Sequence, residues 1–212
     1  PFDGFNLALH VGDAPEAVLR NRRHLRAGLA LPAEPLWLEQ VHGTRVATHG
    51  EGGVPRADAS VAFAPGQICA VLTADCVPVL LHDPRRKVAG ISHAGWMGTV
   101  RGTVRVTIER METHFGSKPA GILAAIGPSI GPDHYEVGAD VVHQVQKSFG
   151  AEAESLLAGR EGRMYFDLWA ANRLLLELAG VEQIEITGLC TVRHNEDWYS
   201  HRAEKGLTGR FG

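Results

Sequence analysis

The middle of the chain has the pattern that most constrains the fold, a series of short apolar strands followed by a helical repeat. Four runs separated by turn residues are predicted as strands: 59–63, 67–73, 77–82 and 87–92. From Val100 to Phe115, apolar residues recur every three or four positions, as on one face of a helix. The other predicted strands are 36–41, 121–126 and 183–188, and the other predicted helices are 15–27, 140–149 and 167–179. Because strands and helices do not alternate regularly, the sequence predicts an α+β fold with mixed β-sheets and flanking helices.

Two capping residues accompany the predicted helices. Asp13 precedes the helix that begins at Pro15, and Asp167 precedes the helix near the C-terminal end. Aspartate is a favoured N-cap residue, and proline is tolerated in the first helical turn.

A chain of 212 residues with 44% hydrophobic content can bury one core and does not require two. We therefore expect a single domain over residues 1–212.

Charge and cysteine usage exclude several classes of protein. The chain has 21 basic and 24 acidic residues, which gives a formal net charge of -3 and no basic footprint for nucleic acid. No apolar run reaches the roughly 18 residues that a membrane helix needs. Three cysteines form an odd, sparse set that favours a reducing cytoplasm over a secreted disulfide framework.

Three apolar segments each end in a potential metal ligand. His42 follows WLEQV, Cys76 follows AVLTAD, and His93 follows VAGIS. Functional side chains collect where rigid strands end in accessible loops. Two imidazoles and one thiolate suit zinc, and three protein ligands leave a fourth tetrahedral position open, as in catalytic zinc sites. The ligands are 34 and 17 residues apart, so their spacing alone does not establish the site.

The surroundings of these residues favour a site over an ordinary core. A cysteine in an apolar run is usually a small core residue. However, Asp75 stands in the same apolar run, where carboxylates are rare unless paired. Gly43 and Gly95 leave the backbone bare beside the two histidines, and Trp37 and Trp96 can supply an apolar wall.

The motifs along the chain resemble those of the YfiH-type family, which is also known for laccase-domain proteins and "polyphenol oxidases". The resemblance covers essentially the whole chain in order. It is carried by NLALHVGD at 6–13, QVHG at 40–43, ADAS at 57–60, TADC at 73–76, HAGW at 93–96, AAIGPSIGPDHYEVG at 124–138 and TGR at 208–210.

The resemblance implies a compact sandwich of mixed sheets and flanking helices, and a zinc ion held by His42, Cys76 and His93. It implies a zinc-dependent purine nucleoside phosphorylase that cleaves adenosine, inosine, guanosine or S-methyl-5'-thioadenosine with phosphate, giving the free base and ribose 1-phosphate. Adenosine deamination is an implied side activity. The expected partners are purine nucleosides and phosphate, and the expected state is a monomer.

This sequence departs from the family pattern at three places. Met97 stands where HAGWRG has arginine, and the tail reads Ser200-His201-Arg202-Ala203-Glu204 where the family has SYRRDG, so only one arginine of that pair is present. Family members also carry an N-terminal strand with an arginine and a C-terminal strand after TGR, and neither is in this sequence. The ligand motifs are intact, so these departures concern the substrate assignment more than the metal.

Zinc chemistry suggests roles for the remaining candidates. Zinc can supply hydroxide for attack on adenine, because it lowers the pKa of bound water to about 7, or it can orient phosphate. Asp75 is the candidate for proton transfer, with orientation of a histidine as its alternative role. Arg202 and Arg210 are candidates for binding phosphate through paired donors, with surface ion pairs as the alternative. Three more residues are predicted to line the substrate pocket: Asn6, His10 and Gln40.

Two other functions remain open at this point. Cys76 could be the nucleophile of a hydrolase or amidase, including one that edits peptidoglycan precursors, with His93 as its base. Copper (Cu²⁺) could replace zinc, since a blue-copper site also uses two histidines and one cysteine. A multicopper oxidase would also need paired His-x-His motifs, and the sequence contains none.

Overall fold

The strands of the central segment form the mixed sheet that the sequence pattern predicts. The computed structural model describes residue 2 and residues 4–212. Six strands lie in the order β1-β2-β4-β3-β5-β9. Their bounds are β1 Val46–Thr48, β2 Ala59–Ala62, β3 Val77–Asp83, β4 Val88–Ala94, β5 Leu123–Ile126 and β9 Gln183–Ile186. The outer pairs β1–β2 and β5–β9 are parallel, whereas the three inner pairs are antiparallel.

A second, three-stranded antiparallel sheet lies in the C-terminal half. Its order is β6-β8-β7, with bounds β6 Glu136–Val137, β7 Leu157–Arg160 and β8 Arg163–Phe166. The sequence pattern predicts neither these strands nor β1, and β6 and β1 span only two and three residues. Such short elements offer too few positions for a period-two pattern to emerge.

The described residues form six α-helices, three of which pack directly on the six-stranded sheet. Their bounds are α1 Pro15–Gly28, α2 Trp96–Arg101, α3 Thr103–Phe115, α4 Ala139–Phe149, α5 Ala153–Leu156 and α6 Leu168–Leu178. Helix α3 packs on β4 and β2, and α6 packs on β5 and β9. The buried face of α3 includes Val104, Ile108 and Met111. The α+β prediction is therefore confirmed, with the main hydrophobic core between this sheet and its helices and two smaller clusters around Leu38 and Leu7.

Four local predictions need correction. Residues 36–41 and 67–73 are not regular strands, because they make only isolated bridges, such as Leu36 with Cys69. The helix predicted through 100–115 is two helices, because Gly102 adopts a left-handed conformation (φ 76°) that ends α2. Asp13 is not the cap of α1: the N-cap residue is Ala14, and Asp13 instead accepts a bond from Asn6. The Asp167 cap is confirmed, since its carboxylate accepts from the Ala170 N–H at 2.9 Å.

Two general expectations are also addressed by the fold. None of the cysteines Cys69, Cys76 and Cys190 is in a disulfide. Within the described part of the chain, no helix combines the length and apolar character needed to cross a membrane.

Candidate metal centre and its cavity

The sheet register brings two of the three predicted ligands to one edge of the sheet. In the β3–β4 pair, Val77 lies opposite Ala94 and Pro78 lies opposite His93. Cys76, just before β3, therefore lies beside the end of β4. His42 reaches the same place from the turn that precedes β1. Strand pairing thus brings together residues that are far apart in the sequence.

The three ligand atoms form a compact cluster. The Sγ atom of Cys76 lies 3.9 Å from Nε2 of His42, and the ligand atoms of His42, Cys76 and His93 all lie within 4.8 Å of one another. The two imidazole rings meet edge-on, with centroids 4.9 Å apart. His93 is buried (4% exposed), whereas His42 is exposed, so the cluster opens towards solvent on one side. This donor set fits zinc and also copper.

Gly95 leaves the space that the cluster occupies. A Cβ atom at this position would lie 2.7 Å from the Sγ atom of Cys76 and 3.2 Å from Cδ2 of His42. Carbon and sulfur atoms do not approach that closely without displacement. The absence of a side chain at Gly95 is therefore a condition for the two ligands to meet.

Asp58 connects the two histidines from behind, and sequence analysis gave it no role. Its carboxylate is fully buried and accepts the backbone N–H groups of Val41, His42 and Gly43 at 3.1, 2.9 and 2.7 Å. The same carboxylate lies 2.9 Å from Nδ1 of His93. The signal was present in ADAS at 57–60, a carboxylate at the start of a wholly buried strand. The same reasoning had singled out Asp75 instead.

The charges in the cluster reinforce one another. Burial alone would raise the pKa of the Cys76 thiol, but the adjacent imidazoles, His93 above all, lower that pKa to about 6. Burial alone would lower the pKa of His93, but the Cys76 sulfur and the Asp58 carboxylate raise it to about 9. The cysteine is therefore held as a thiolate at neutral pH, the form that ligates metals and acts as a nucleophile.

The backbone is strained at two positions beside the cluster. His42 has φ 56° and Asp75 has φ 82°, both in the left-handed region that residues other than glycine seldom adopt. Such conformations persist where surrounding contacts impose them, and they concentrate at functional sites. At His42, the imposing contact is the bond from its N–H to Asp58.

The side chain of Asp75 faces the C-terminal segment. Its Oδ1 atom accepts the hydroxyls of Thr191 and Ser200 at 2.6 and 2.8 Å, and its Oδ2 atom accepts the N–H of Arg202 at 2.6 Å. Asp75 is buried (8% exposed) and lines the cavity that opens onto the metal ligands. It therefore joins the turn that carries Cys76 to the segment that carries Arg202.

A cavity of about 370 Å³ opens onto the metal ligands. This is within the range of roughly 300–1,000 Å³ found for small-molecule sites. Four of the five predicted substrate-binding residues line it: His10, Gln40, Arg202 and Arg210. The apolar and aromatic part of its wall includes Trp96, Ile130 and Tyr135. The sequence pattern predicts no role for Ile130 or Tyr135, although both lie within the 124–138 motif.

Asn6 is the one predicted substrate-binding residue that does not line this cavity. Its side chain is fully buried, and its amide makes four hydrogen bonds. One of them, from the N–H of Arg210 to Oδ1 at 2.9 Å, holds the residue that does face the cavity. Asn6 thus positions Arg210.

The two arginines differ in the freedom of their guanidinium groups. Arg202 donates to the carbonyls of His134 and Glu136 and lies over the ring of Tyr135, 5.3 Å from its centroid. Arg210 donates only through Nη1, to the nearby carbonyls of Thr208 and Gly209. Arg210 is therefore the one with more donors left for an anionic ligand.

The departures from the family motifs lie in different places. His201 lines the cavity, so that change alters the substrate wall. Met97 instead lines a neighbouring cleft between α2 and α4, together with Arg101 and His143. Trp96 is common to the linings of both spaces.

Comparison with known proteins identifies the family of the chain. A family profile described as "Multi-copper polyphenol oxidoreductase laccase" matches residues 1–212. The chain is 42% identical to "Purine nucleoside phosphorylase" of Deinococcus radiodurans and 40% identical to "Purine nucleoside phosphorylase YfiH" of Shigella flexneri. Both matches cover 100% of this chain, and they cover 81% and 85% of the relatives. The crystal structure of the hypothetical protein YfiH from Bacillus licheniformis superposes with a TM-score of 0.94 at 32% identity, covering 99% of this chain and 84% of that one.

Proposed function

Since the chain belongs to the YfiH-type laccase-domain family, we propose that it is a metal-dependent purine nucleoside phosphorylase. The observation that carries the proposal is the cavity in which the His42, Cys76 and His93 cluster meets Arg210. A transition-metal site beside an arginine suits a substrate pair made of a neutral nucleoside and an anion. The names of the relatives point to the same substrates.

We propose zinc as the metal and adenosine, inosine, guanosine and S-methyl-5'-thioadenosine as the nucleosides. When bound, zinc supplies Lewis acidity that stabilises negative charge developing on the substrate. The residues of the chain contribute the ligands, with the thiolate already formed at neutral pH because of its imidazole neighbours.

In phosphorolysis, a phosphate oxygen forms a bond to C1′ of the ribose while the bond from C1′ to the purine nitrogen breaks. The base leaves with the electron pair and takes up a proton. Arg210 would bind the phosphate oxygens through its free guanidinium donors. Arg202, already committed to two carbonyls, would contribute mainly its charge.

The aromatic wall would hold the base. Trp96 and Tyr135 offer ring faces for stacking. Burial and the nearby Cys76 raise the pKa of Tyr135, so its phenol stays neutral and can donate a hydrogen bond to a leaving purine. Asp75 already accepts three hydrogen bonds from the C-terminal segment, so its contacts favour a role in positioning that segment.

A direct test measures release of free base from each nucleoside with and without phosphate. We expect phosphate-dependent release that is lost when a chelator removes the metal and restored by zinc. Cys76→Ser should abolish it, whereas Cys69→Ser, at a cysteine that does not line this cavity, should not. Failure of zinc-loaded protein to release any base, with or without phosphate, would refute the proposal. Adenosine deamination is scored in the same assay as inosine formed without phosphate.

A Cys–His hydrolase or amidase is the second candidate, and one observation favours it. Asp58, His93 and Cys76 form a carboxylate–imidazole–thiolate series in the order that nucleophilic catalysis uses. Against it, a nucleophile needs one base, whereas a second imidazole, from His42, also lies 3.9 Å from the sulfur. Activity on amide or ester substrates in metal-free protein, abolished by thiol alkylation, would favour the hydrolase.

The description of the family also names copper chemistry. The sequence has no His-x-His pair of the kind that feeds a trinuclear copper cluster. Among the described residues, only one of the two groups able to hold an ion contains a cysteine and two histidines. Copper-loaded protein that oxidises phenols and has an intense visible absorption band would favour the oxidase.

A further inference from the structure

We propose that Asp58 is the positioning residue of the metal centre, which sets the tautomer of His93 and the conformation of the turn that carries His42. The inference rests on the metal-binding part of the proposed function. It concerns a residue that neither ligates the metal nor touches the cavity. Its basis is the set of four hydrogen bonds that one buried carboxylate makes to both histidine-bearing segments.

The bond to His93 determines which ring nitrogen faces the metal. Oδ1 of Asp58 lies 2.9 Å from Nδ1 of His93, and a carboxylate can only accept at that position. Nδ1 therefore carries the hydrogen, and Nε2 is left with its lone pair for the metal. The backbone supports this arrangement, since the N–H of His93 donates to the carbonyl of Asp58 at 2.7 Å.

The bonds to the turn determine where His42 stands. Three successive N–H groups, of Val41, His42 and Gly43, converge on the same carboxylate. They hold His42 in its left-handed conformation, which a free chain would rarely adopt. Both imidazoles are thus fixed relative to one group that is itself anchored at the start of β2.

Asp58→Asn is the informative variant because it preserves size and removes acceptors. An amide has one oxygen, so either its NH₂ group faces the N–H groups of Val41 and Gly43, or it faces Nδ1 of His93. In the second case the hydrogen of His93 must move to Nε2, which then cannot ligate. Loss of such a partner typically weakens metal binding by about 10- to 100-fold.

The control is Asp83→Asn at the opposite end of β3. Asp83 is also buried (3% exposed), and its carboxylate also accepts successive backbone N–H groups, from Arg85 and Arg86 at 2.9 and 3.0 Å. No histidine is among these partners. This variant therefore carries the general cost of an amide in a buried turn without a consequence for the metal ligands.

The test measures Zn²⁺ affinity by competition with a chromophoric chelator, and the visible spectrum after Co²⁺ loading, with no nucleoside present. We expect Asp58→Asn to bind Zn²⁺ about 10- to 100-fold more weakly and to change the Co²⁺ bands. Asp83→Asn should stay within about twofold of the wild type. Equal Zn²⁺ affinity in Asp58→Asn and wild type would overturn the inference, as would a wild-type protein that binds no Zn²⁺.

A measurement on the wild type covers the case in which Asp58→Asn does not fold. Two-bond ¹H–¹⁵N correlation spectra of the Zn²⁺-loaded protein identify the protonated nitrogen of His93. We expect a protonated Nδ1 and a metal-bound Nε2, and the reverse assignment would overturn the inference. Because no turnover is measured, these results stand apart from the nucleoside assay, which can fail while Asp58 still positions the ligands.

Discussion

Gly95→Ala offers a sharp test of the metal centre, because the added methyl would enter the ligand cluster itself. The new Cβ atom would lie 2.7 Å from Sγ of Cys76 and 3.2 Å from Cδ2 of His42. Non-bonded heavy atoms settle at roughly 3.5–4.0 Å, so the sulfur must move by about 1 Å. The backbone at Gly95, with φ -68° and ψ 178°, is open to alanine, so the perturbation is steric and local.

The expected loss of Zn²⁺ affinity follows from the narrow range of ligand distances that a metal site accepts. Ligand distances hold to within about 0.2 Å, so a displacement of about 1 Å is not absorbed by the metal–sulfur bond. Overpacking of this kind costs about 1–3 kcal/mol, and each 1.4 kcal/mol is tenfold in affinity. We therefore expect Zn²⁺ to bind roughly 10- to 100-fold more weakly. In the metal-free protein the thiol can turn aside, so its thermal stability should change little.

The assay is chelator competition for Zn²⁺, combined with the melting temperature before and after loading. Gly43→Ala is the matched control beside the same ligands. Its Cβ would lie 3.5 Å from Oδ2 of Asp58 and 3.6 Å from Cγ2 of Val41, which are ordinary contacts. If Gly95→Ala binds Zn²⁺ as tightly as Gly43→Ala does, the three residues do not form the metal site in the arrangement described above.

Three further predictions concern the charges of the site. Arg210→Ala should raise the KM for phosphate about tenfold or more and change nucleoside affinity little. The reason is that a hydrogen bond to a charged group contributes about 1.5–3 kcal/mol. An unchanged KM for phosphate would contradict this role of Arg210. In metal-free protein, thiolate absorbance at 240 nm should rise with pH through a midpoint near 6, because the imidazoles stabilise the Cys76 anion. Cys76→Ser should remove that step, and a Cys76-dependent step near the ordinary thiol value would contradict the prediction. Asp75→Asn should lower the free energy of unfolding by about 1–3 kcal/mol and expose residues 195–212 to protease, since it weakens bonds to Thr191, Ser200 and Arg202; unchanged protease resistance of that segment would show that these bonds do not hold it.

The α+β class could be predicted because the central strands alternate or run apolar over four to seven residues, and α3 repeats over a full face. The division of the helix into α2 and α3 could not be predicted. It is caused by the left-handed conformation of Gly102, which in the sequence is only one glycine among several. Segments 36–41 and 67–73 have strand-like composition, yet their bonds go to single bridges and side chains. The amide of Gln40, for example, pairs with both backbone groups of Leu72.

The candidate site divides in the same way. Ligand type could be predicted from residues at the ends of apolar runs, and the cavity does gather His10, Gln40, Arg202 and Arg210. Which of two carboxylates contacts a metal ligand depends on the pairing of distant strands. Asp58 and Asp75 look alike in the sequence. The register of β2 with β4 places the first behind His93, and the bridge of Thr73 with Phe211 brings the C-terminal segment close to the second.

The convergence of ligands from three separate stretches of the chain has a kinetic consequence. Cys76 and His93 meet only after β3 has paired with β4, and His42 joins only when its turn has closed on Asp58. An ion that binds this set therefore has no comparable partner in the unfolded chain, and it stabilises the native state alone. Zinc should accordingly leave the refolding rate nearly unchanged and slow unfolding, as expected for contacts completed after the folding barrier. The ion would then stabilise the ends of β3 and β4 only after the main folding step. Its loss would shorten the lifetime of the folded protein.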